Sequence, residues 1–142
     1  MQPSSDIKTD APPLRPFIRT DEDGGHYLEG SHCPDCNERF VGARSICAAC
    51  CTRDRMQTVR LASTGKVYAF TIVERSFPGV KSPFVDVTVD LDDGAHIKGT
   101  LEGIEPIMAA VKFDMPVKLA FREATPINTP GQPHLTYVFV PA

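Results

Sequence analysis

Five cysteines lie within nineteen positions, in the stretch CPDCNERFVGARSICAACC at residues 33–51, and the chain has no other cysteine. Cys33 and Cys36 form one CxxC pair, Cys47 and Cys50 form a second, and ten residues separate the two pairs. Each pair presents two thiolates on a tight turn, and two such turns complete the tetrahedral set of four sulfurs that zinc prefers. The spacing therefore predicts a zinc ribbon with these four cysteines as ligands.

The fifth thiol, Cys51, directly follows Cys50. Using it as the ligand would require a CxxxC pair, which is less usual at such sites, so we predict that Cys51 is a small neighbour of the metal without chemistry. Iron in a rubredoxin-like site and a disulfide pair are the alternatives to zinc. Four thiolates leave the ion no open position, so the predicted metal is structural.

Composition restricts the class of protein. The chain has 142 residues, a formal net charge of −3, 42% hydrophobic and 23% charged residues, which is ordinary for a globular protein. Its apolar runs are too short to span a bilayer. The first thirty residues hold no basic start followed by an apolar core, so we expect a cytoplasmic protein. In that reducing compartment, clustered cysteines favour metal binding over disulfides.

The pattern divides the chain into three regions. Residues 1–25 are rich in Pro and Asp and predict an extended arm, residues 26–56 form the ribbon with a short hairpin in ERFVGARSI, and residues 57–142 read as strands. The stretch FVDVTVDLDDGAHIKGTLEG at 84–103 alternates apolar and polar residues and turns at Asp93-Gly94. It predicts a hairpin with one buried face.

The remaining strands follow the same reasoning. QTVRLASTGKVYAFTIVERS at 57–76 predicts two strands, the second with Val67, Ala69, Thr71 and Val73 on one face, and EPIMAAVKF at 105–113 predicts a short helix. Five or six strands with one short helix in about 85 residues suit a small closed barrel. The predicted fold is mainly β: a rubredoxin-like zinc ribbon followed by an OB-fold barrel.

The order of four segments resembles a known family. GSHCPDCNERFVGARSICAAC, GKVYAFTIVERS, FVDVTVDLDDGAHIKGTLEG and YVFVPA, within residues 27–142, resemble the zinc-ribbon plus OB-fold proteins that accompany thiolases and thiolase-like enzymes. The resemblance implies a non-catalytic accessory subunit, in a heterotetramer with a thiolase-superfamily enzyme that acts on acyl-CoA thioesters. Relatives often carry an amphipathic helical segment ahead of the ribbon, where this chain is Pro-rich.

The residues themselves agree with a partner that supplies the chemistry. The cysteines are committed to the ribbon, and His26, His96 and His134 show no Cys, Ser or carboxylate at a telling spacing. We therefore expect no catalytic residues in this chain.

Coenzyme A carries phosphates, so a site that contacts it should place cations beside apolar walls. Arg75, Phe77 and Lys81 in VERSFPGVKSPF at 73–84, with Lys98 on the next hairpin, are the predicted contacts. A solvated loop, or a protein-docking tip at SFPGV, is the alternative.

Two other classes of function fit parts of the sequence. Zinc ribbons joined to OB-folds also occur in proteins that bind single-stranded nucleic acid, but these need a cationic groove, and no region of this chain is strongly basic. A thiol redox or metal-delivery protein would need a labile metal, which a closed site of four sulfurs disfavours.

Overall fold

A computed structural model describes residues 7–142, and nine β-strands form its framework. The strands are β1 (Ile18–Thr20), β2 (His26–His32), β3 (Arg39–Val41), β4 (Gln57–Arg60), β5 (Thr64–Val73), β6 (Phe84–Leu91), β7 (His96–Leu101), β8 (Pro116–Ala124) and β9 (His134–Pro141). The first four form one antiparallel sheet around β2, and the last five close into a barrel in the order β5-β6-β7-β9-β8. The prediction of a ribbon followed by an OB-fold barrel is confirmed.

The regions given by sequence overlap these elements. Strand β1 lies within residues 1–25, whose first six residues are outside the described part of the chain, and β4 joins the ribbon sheet although it follows residue 56. The three-region division stays a prediction.

Side chains of strand β6 alternate between the core and the outer face of the barrel. Val85, Val87, Val89 and Leu91 are at most 3% exposed, whereas the residues between them lie on the outer face. The hairpin to β7 turns where predicted, with Gly94 at φ +99°, a conformation that glycine adopts without steric cost.

Strand β5 departs from the prediction, because a β-bulge shifts its register between Val67 and Ala69. A bulge inserts one unpaired residue and so exchanges the two faces of the strand beyond it. Val67 is fully buried before the bulge, but Phe70 and Ile72 are the side chains that pack against the core after it. The prediction that Val67 shares one face with Ala69, Thr71 and Val73 is therefore wrong.

The predicted helix at 105–113 is also wrong, since this segment consists of turns. Its backbone hydrogen bonds are short-range, such as Ala110 N–H to the Ile107 carbonyl at 3.1 Å. An isolated turn of this length lacks the hydrogen bonds that offset helix nucleation. Val111, 3% exposed, instead anchors the segment to the barrel core.

The predicted hairpin within ERFVGARSI is wrong as well. Strand β3 pairs with β2, and Gly42 at φ +80° turns the chain away after it. The approach of β3 and β2 is close: a Cβ atom on Gly30 would lie 2.4 Å from the Phe40 carbonyl oxygen. Glycine at position 30 is therefore a packing requirement.

The ribbon sheet and the barrel share one hydrophobic core, in which Ile18, Leu28 and Leu61 join the barrel's buried side chains. Asp93 adds two hydrogen bonds between the barrel and the ribbon side of this core. Its carboxylate accepts a hydrogen bond from the Ala62 backbone at 2.8 Å, and its carbonyl accepts one from the Arg39 guanidinium at 3.3 Å. The ribbon is thus held against the β6–β7 hairpin by both packing and polar contacts.

Candidate metal centre and barrel groove

Two turns of matching geometry carry the four cysteines. In the first turn the Asn37 N–H donates to the Cys33 carbonyl at 2.8 Å, and in the second the Cys51 N–H donates to the Cys47 carbonyl at 2.9 Å. Asn37 and Cys51 both have positive φ, at 66° and 64°. Cys51 therefore occupies the place in the second turn that Asn37 occupies in the first.

The sulfur atoms of Cys33, Cys36, Cys47 and Cys50 converge on one point. The Cys33–Cys50 sulfurs are 3.6 Å apart, the Cys36–Cys47 sulfurs are 3.5 Å apart, and all four lie within 4.8 Å of one another. Tetrahedral Zn–S bonds of about 2.3 Å would place the sulfurs about 3.8 Å apart. The four thiols are positioned to hold one metal ion, and Cys51 is not part of the cluster.

The pKa values of Cys50 and Cys36 are shifted in opposite directions. Hydrogen bonds from the hydroxyl and then the backbone of Thr52 lower the pKa of Cys50 to about 6. A hydrogen bond from the Glu38 backbone lowers the pKa of Cys36, but burial and the three neighbouring thiols outweigh it and raise that pKa to about 12. Thiolates brought this close repel one another, so a bound dication favours loss of the last protons.

A polar brace supports Cys50, which is exposed, whereas Cys33 and Cys47 are buried. The Thr52 hydroxyl lies 3.2 Å from the Cys50 sulfur and 2.6 Å from an Asp35 carboxylate oxygen. Its single proton can serve either group. Arg55 contacts the other Asp35 oxygen at 2.7 Å and offsets the carboxylate charge when the hydroxyl turns toward the sulfur. The brace links the two turns independently of the sulfurs.

His32 lies outside the sulfur cluster. Its ring nitrogens contact Gln57 Oε1 at 3.1 Å and Asn37 Oδ1 at 2.7 Å. It therefore connects β4 to the first turn.

The four predicted coenzyme A contacts occupy two places. Arg75, Phe77 and Lys81 share the loop between β5 and β6, where Phe77 is 80% exposed. Lys98 lies on β7 and forms an ion pair with Asp86 at 3.2 Å. The structure thus brings three of the four onto one loop and pairs the fourth with a carboxylate.

A groove of about 760 Å³ opens beside that loop and is lined by Lys81 together with residues of β6, β7, β8 and the segment after β7. Arg75, Phe77 and Lys98 are not among its lining residues. A volume of this size falls within the range of small-molecule sites, about 300–1,000 Å³.

Strand register creates pairs that the sequence analysis missed. His96 was expected to lack a carboxylate partner, yet it lies opposite Asp90, and its Nδ1 contacts the Asp90 carboxylate at 2.5 Å. The Thr52 brace was missed because sequence spacing does not show which side chains of the two turns meet. The parallel positions of Asn37 and Cys51, each directly after a CxxC, were the available signal for the role of Cys51.

Within residues 7–142, no helix has the length and apolar character needed to cross a membrane.

A ribbon sheet with four convergent thiols, followed by a five-stranded barrel, defines a two-part ribbon and OB-fold protein. Residues 58–122 match the family described as "ChsH2, C-terminal OB-fold domain". The resemblance inferred from the four sequence segments is confirmed.

Relatives extend the match to the ribbon. A DUF35 domain-containing scaffold protein of Methanocaldococcus jannaschii is 27% identical over 119 residues, which cover 82% of each chain. The benzoylsuccinyl-CoA thiolase subunit BbsA of Geobacter metallireducens is 28% identical over 88 residues, 61% of this chain and 59% of that subunit.

A solved structure of an Ltp2-ChsH2(DUF35) aldolase superposes with a TM-score of 0.64 at 28% identity, covering 81% of this chain and 84% of that one. These relatives are thus named as a scaffold protein, a thiolase subunit and an aldolase that contains a ChsH2(DUF35) chain.

Proposed function

We propose that this chain is a non-catalytic accessory subunit. It binds a thiolase-superfamily enzyme and supports the cleavage or formation of carbon–carbon bonds in acyl-CoA thioesters, of the 3-ketoacyl-CoA or aldol type. The observation that carries the proposal is the match over 82% of both chains to a scaffold protein, together with relatives named as a thiolase subunit and as part of an aldolase. The partner supplies the nucleophile and base.

The metal in this proposal is zinc, held by Cys33, Cys36, Cys47 and Cys50. Sulfur separations of 3.5 and 3.6 Å suit the tetrahedral geometry that zinc adopts with four thiolates. Such a site is closed, so zinc contributes folding free energy and takes no part in the reaction.

The same proposal places coenzyme A at the edge of the barrel, shared with the partner in a cytoplasmic heterotetramer. Arg75 and Lys81 would contact phosphates, Phe77 would cover an apolar part of the thioester, and Lys98 would exchange its ion pair with Asp86 for a phosphate.

The charges of the barrel disfavour the alternative of single-stranded nucleic acid. OB-folds bind oligonucleotides across their second and third strands, which here are β6 and β7. Asp86 and Asp90 lie on the outer face of β6, where Lys98 and His96 are already paired with them. This face offers a phosphate backbone little net positive charge.

The experiment is a pull-down of the tagged, zinc-loaded chain from its native host, followed by an acyl-CoA cleavage assay on the captured complex. We expect a thiolase-like subunit and 3-ketoacyl-CoA or aldol-type cleavage in the complex. The isolated chain should show no turnover. Turnover by the chain without a partner would contradict the proposal, as would capture of a complex with no acyl-CoA activity.

The matched control is Cys36→Ser, which removes one metal ligand and leaves the barrel's sequence unchanged. Zinc content equal to that of the wild type would contradict the assignment of Cys36 as a ligand.

A further inference from the structure

The barrel groove is lined mainly by apolar residues, with a few charged residues among them. Apolar side chains that include Val80, Phe84, Leu101 and Ile104 form most of its lining, and charged groups are few. A lining of this type suits a ligand with an apolar body and a small number of polar atoms.

Of the two cations that line the groove, Arg122 and Lys81, the first is paired with a carboxylate and the second is not. Arg122 is paired with both carboxylate oxygens of Glu102, with its Nη2 at 2.7 Å from Oε1 and its Nε at 3.2 Å from Oε2. Lys81 is exposed and, within residues 7–142, forms no ion pair. The charged lining therefore sums to one uncompensated positive charge.

This balance selects among anions. A ligand with one negative charge gains the attraction of Lys81 and keeps its apolar body against the groove wall. A polyanion would place its further charges near the Glu102 carboxylate, which repels them. A cation would be repelled by Lys81 and would have to compete for Glu102 with the bidentate Arg122.

We propose that this groove is a binding site for an organic monoanion with an apolar chain, of the class of medium-chain carboxylates. The carboxylate contacts Lys81, and the chain lies along the wall formed by Phe84, Leu101 and Ile104. Lys81 is also a proposed phosphate contact in the enzyme complex, so coenzyme A and this anion would compete for it. Binding of the anion to the isolated chain goes beyond the proposed function and does not depend on any partner enzyme.

The test titrates the full-length, zinc-loaded chain with decanoate and follows backbone amide shifts by NMR together with heat by calorimetry. We expect saturable binding with shifts concentrated at Val85, Thr100 and Leu101. Decyltrimethylammonium, tested at the same amides, should bind at least about tenfold more weakly because its charge is repelled by Lys81. Coenzyme A should also bind at least about tenfold more weakly there, because it lacks the apolar chain and brings further negative charge toward Glu102.

Variants separate charge from shape. Lys81→Glu should weaken decanoate binding about tenfold or more, whereas Lys66→Glu, the same charge change at an exposed position of β5, should change it less than about twofold. Thr100→Phe, which narrows the groove without altering charge, should also weaken binding about tenfold. Circular dichroism checks that each variant is folded.

Three results would overturn the proposal. They are decanoate binding unaffected by both Lys81→Glu and Thr100→Phe, equal binding of decyltrimethylammonium, and coenzyme A binding to the same amides as tightly as decanoate. None of these results bears on whether a thiolase-like partner exists, because no partner is present in the assay.

Discussion

Replacing Cys51 by glycine tests the role of the fifth thiol. Cys51 has φ 64°, a left-handed conformation that costs a residue with a Cβ about 1–2 kcal/mol. Glycine removes that cost but adds about 0.5–1 kcal/mol of backbone entropy lost on folding. Because the Cys51 side chain is exposed, little packing is lost. The expected net effect of Cys51→Gly is a stabilisation of about 0.5–1 kcal/mol.

The assay is competition for zinc between the chain and a chelator, since ribbon folding and metal binding are coupled. A stabilisation of this size raises the apparent zinc affinity of Cys51→Gly about two- to fivefold. Cys51→Ala is the matched control, because it removes the thiol but keeps the Cβ and therefore the strain. It should leave the zinc affinity close to that of the wild type.

Two outcomes would refute this reasoning. If Cys51→Gly loses the ion, Cys51 is a ligand and the assignment of Cys50 is wrong. If Cys51→Ala gains as much affinity as Cys51→Gly, the thiol and not the backbone conformation determines the effect.

Three further substitutions test other contacts. Thr52→Val should speed zinc transfer to a chelator about tenfold because Cys50 loses its brace, and Thr52→Ser should restore the wild-type rate. Asp93→Ala leaves the Ala62 N–H without its acceptor and should lower the free energy of unfolding by about 1–3 kcal/mol; an unchanged urea midpoint would contradict this. Gly30→Ala forces a Cβ against the β3 backbone and should cost about 1–3 kcal/mol in the same urea titration, where a neutral result would disprove the close approach.

The sequence predicted elements where one local rule controls the outcome. In β6 the alternation of valines with polar residues is enough to define the buried face, and the barrel obeys it. The CxxC pairs act in the same way, because two residues between cysteines fix the turn that presents both sulfurs. The four sulfurs converge as expected.

Prediction failed where tertiary contacts override the local pattern. Residues 67–73 of β5 are almost all apolar, so their pattern does not show which side chains share a face. The bulge between Val67 and Ala69 exchanges the faces, and no glycine or proline there marks it. Residues 105–113 have helical spacing, yet they form turns. Two features determine the conformation of this connection between β7 and β8: Val111 is buried in the barrel core, and Asp114 adopts a left-handed conformation at φ 62°. Neither constraint can be read from a short window of sequence.

Strand β2 explains how a metal centre at one end of the ribbon can affect the barrel. Its first half pairs with β1 and places Leu28, fully buried, in the core that the ribbon shares with the barrel. Its second half pairs with β3 and β4 and leads directly into Cys33. We therefore expect removal of a bound metal to release the turns first, while Leu28 and the Asp93 contacts keep the other half of β2 on the barrel. A metal held by the four cysteines would fix the shape of the ribbon's far end, and the shared core fixes the position of that end relative to the groove.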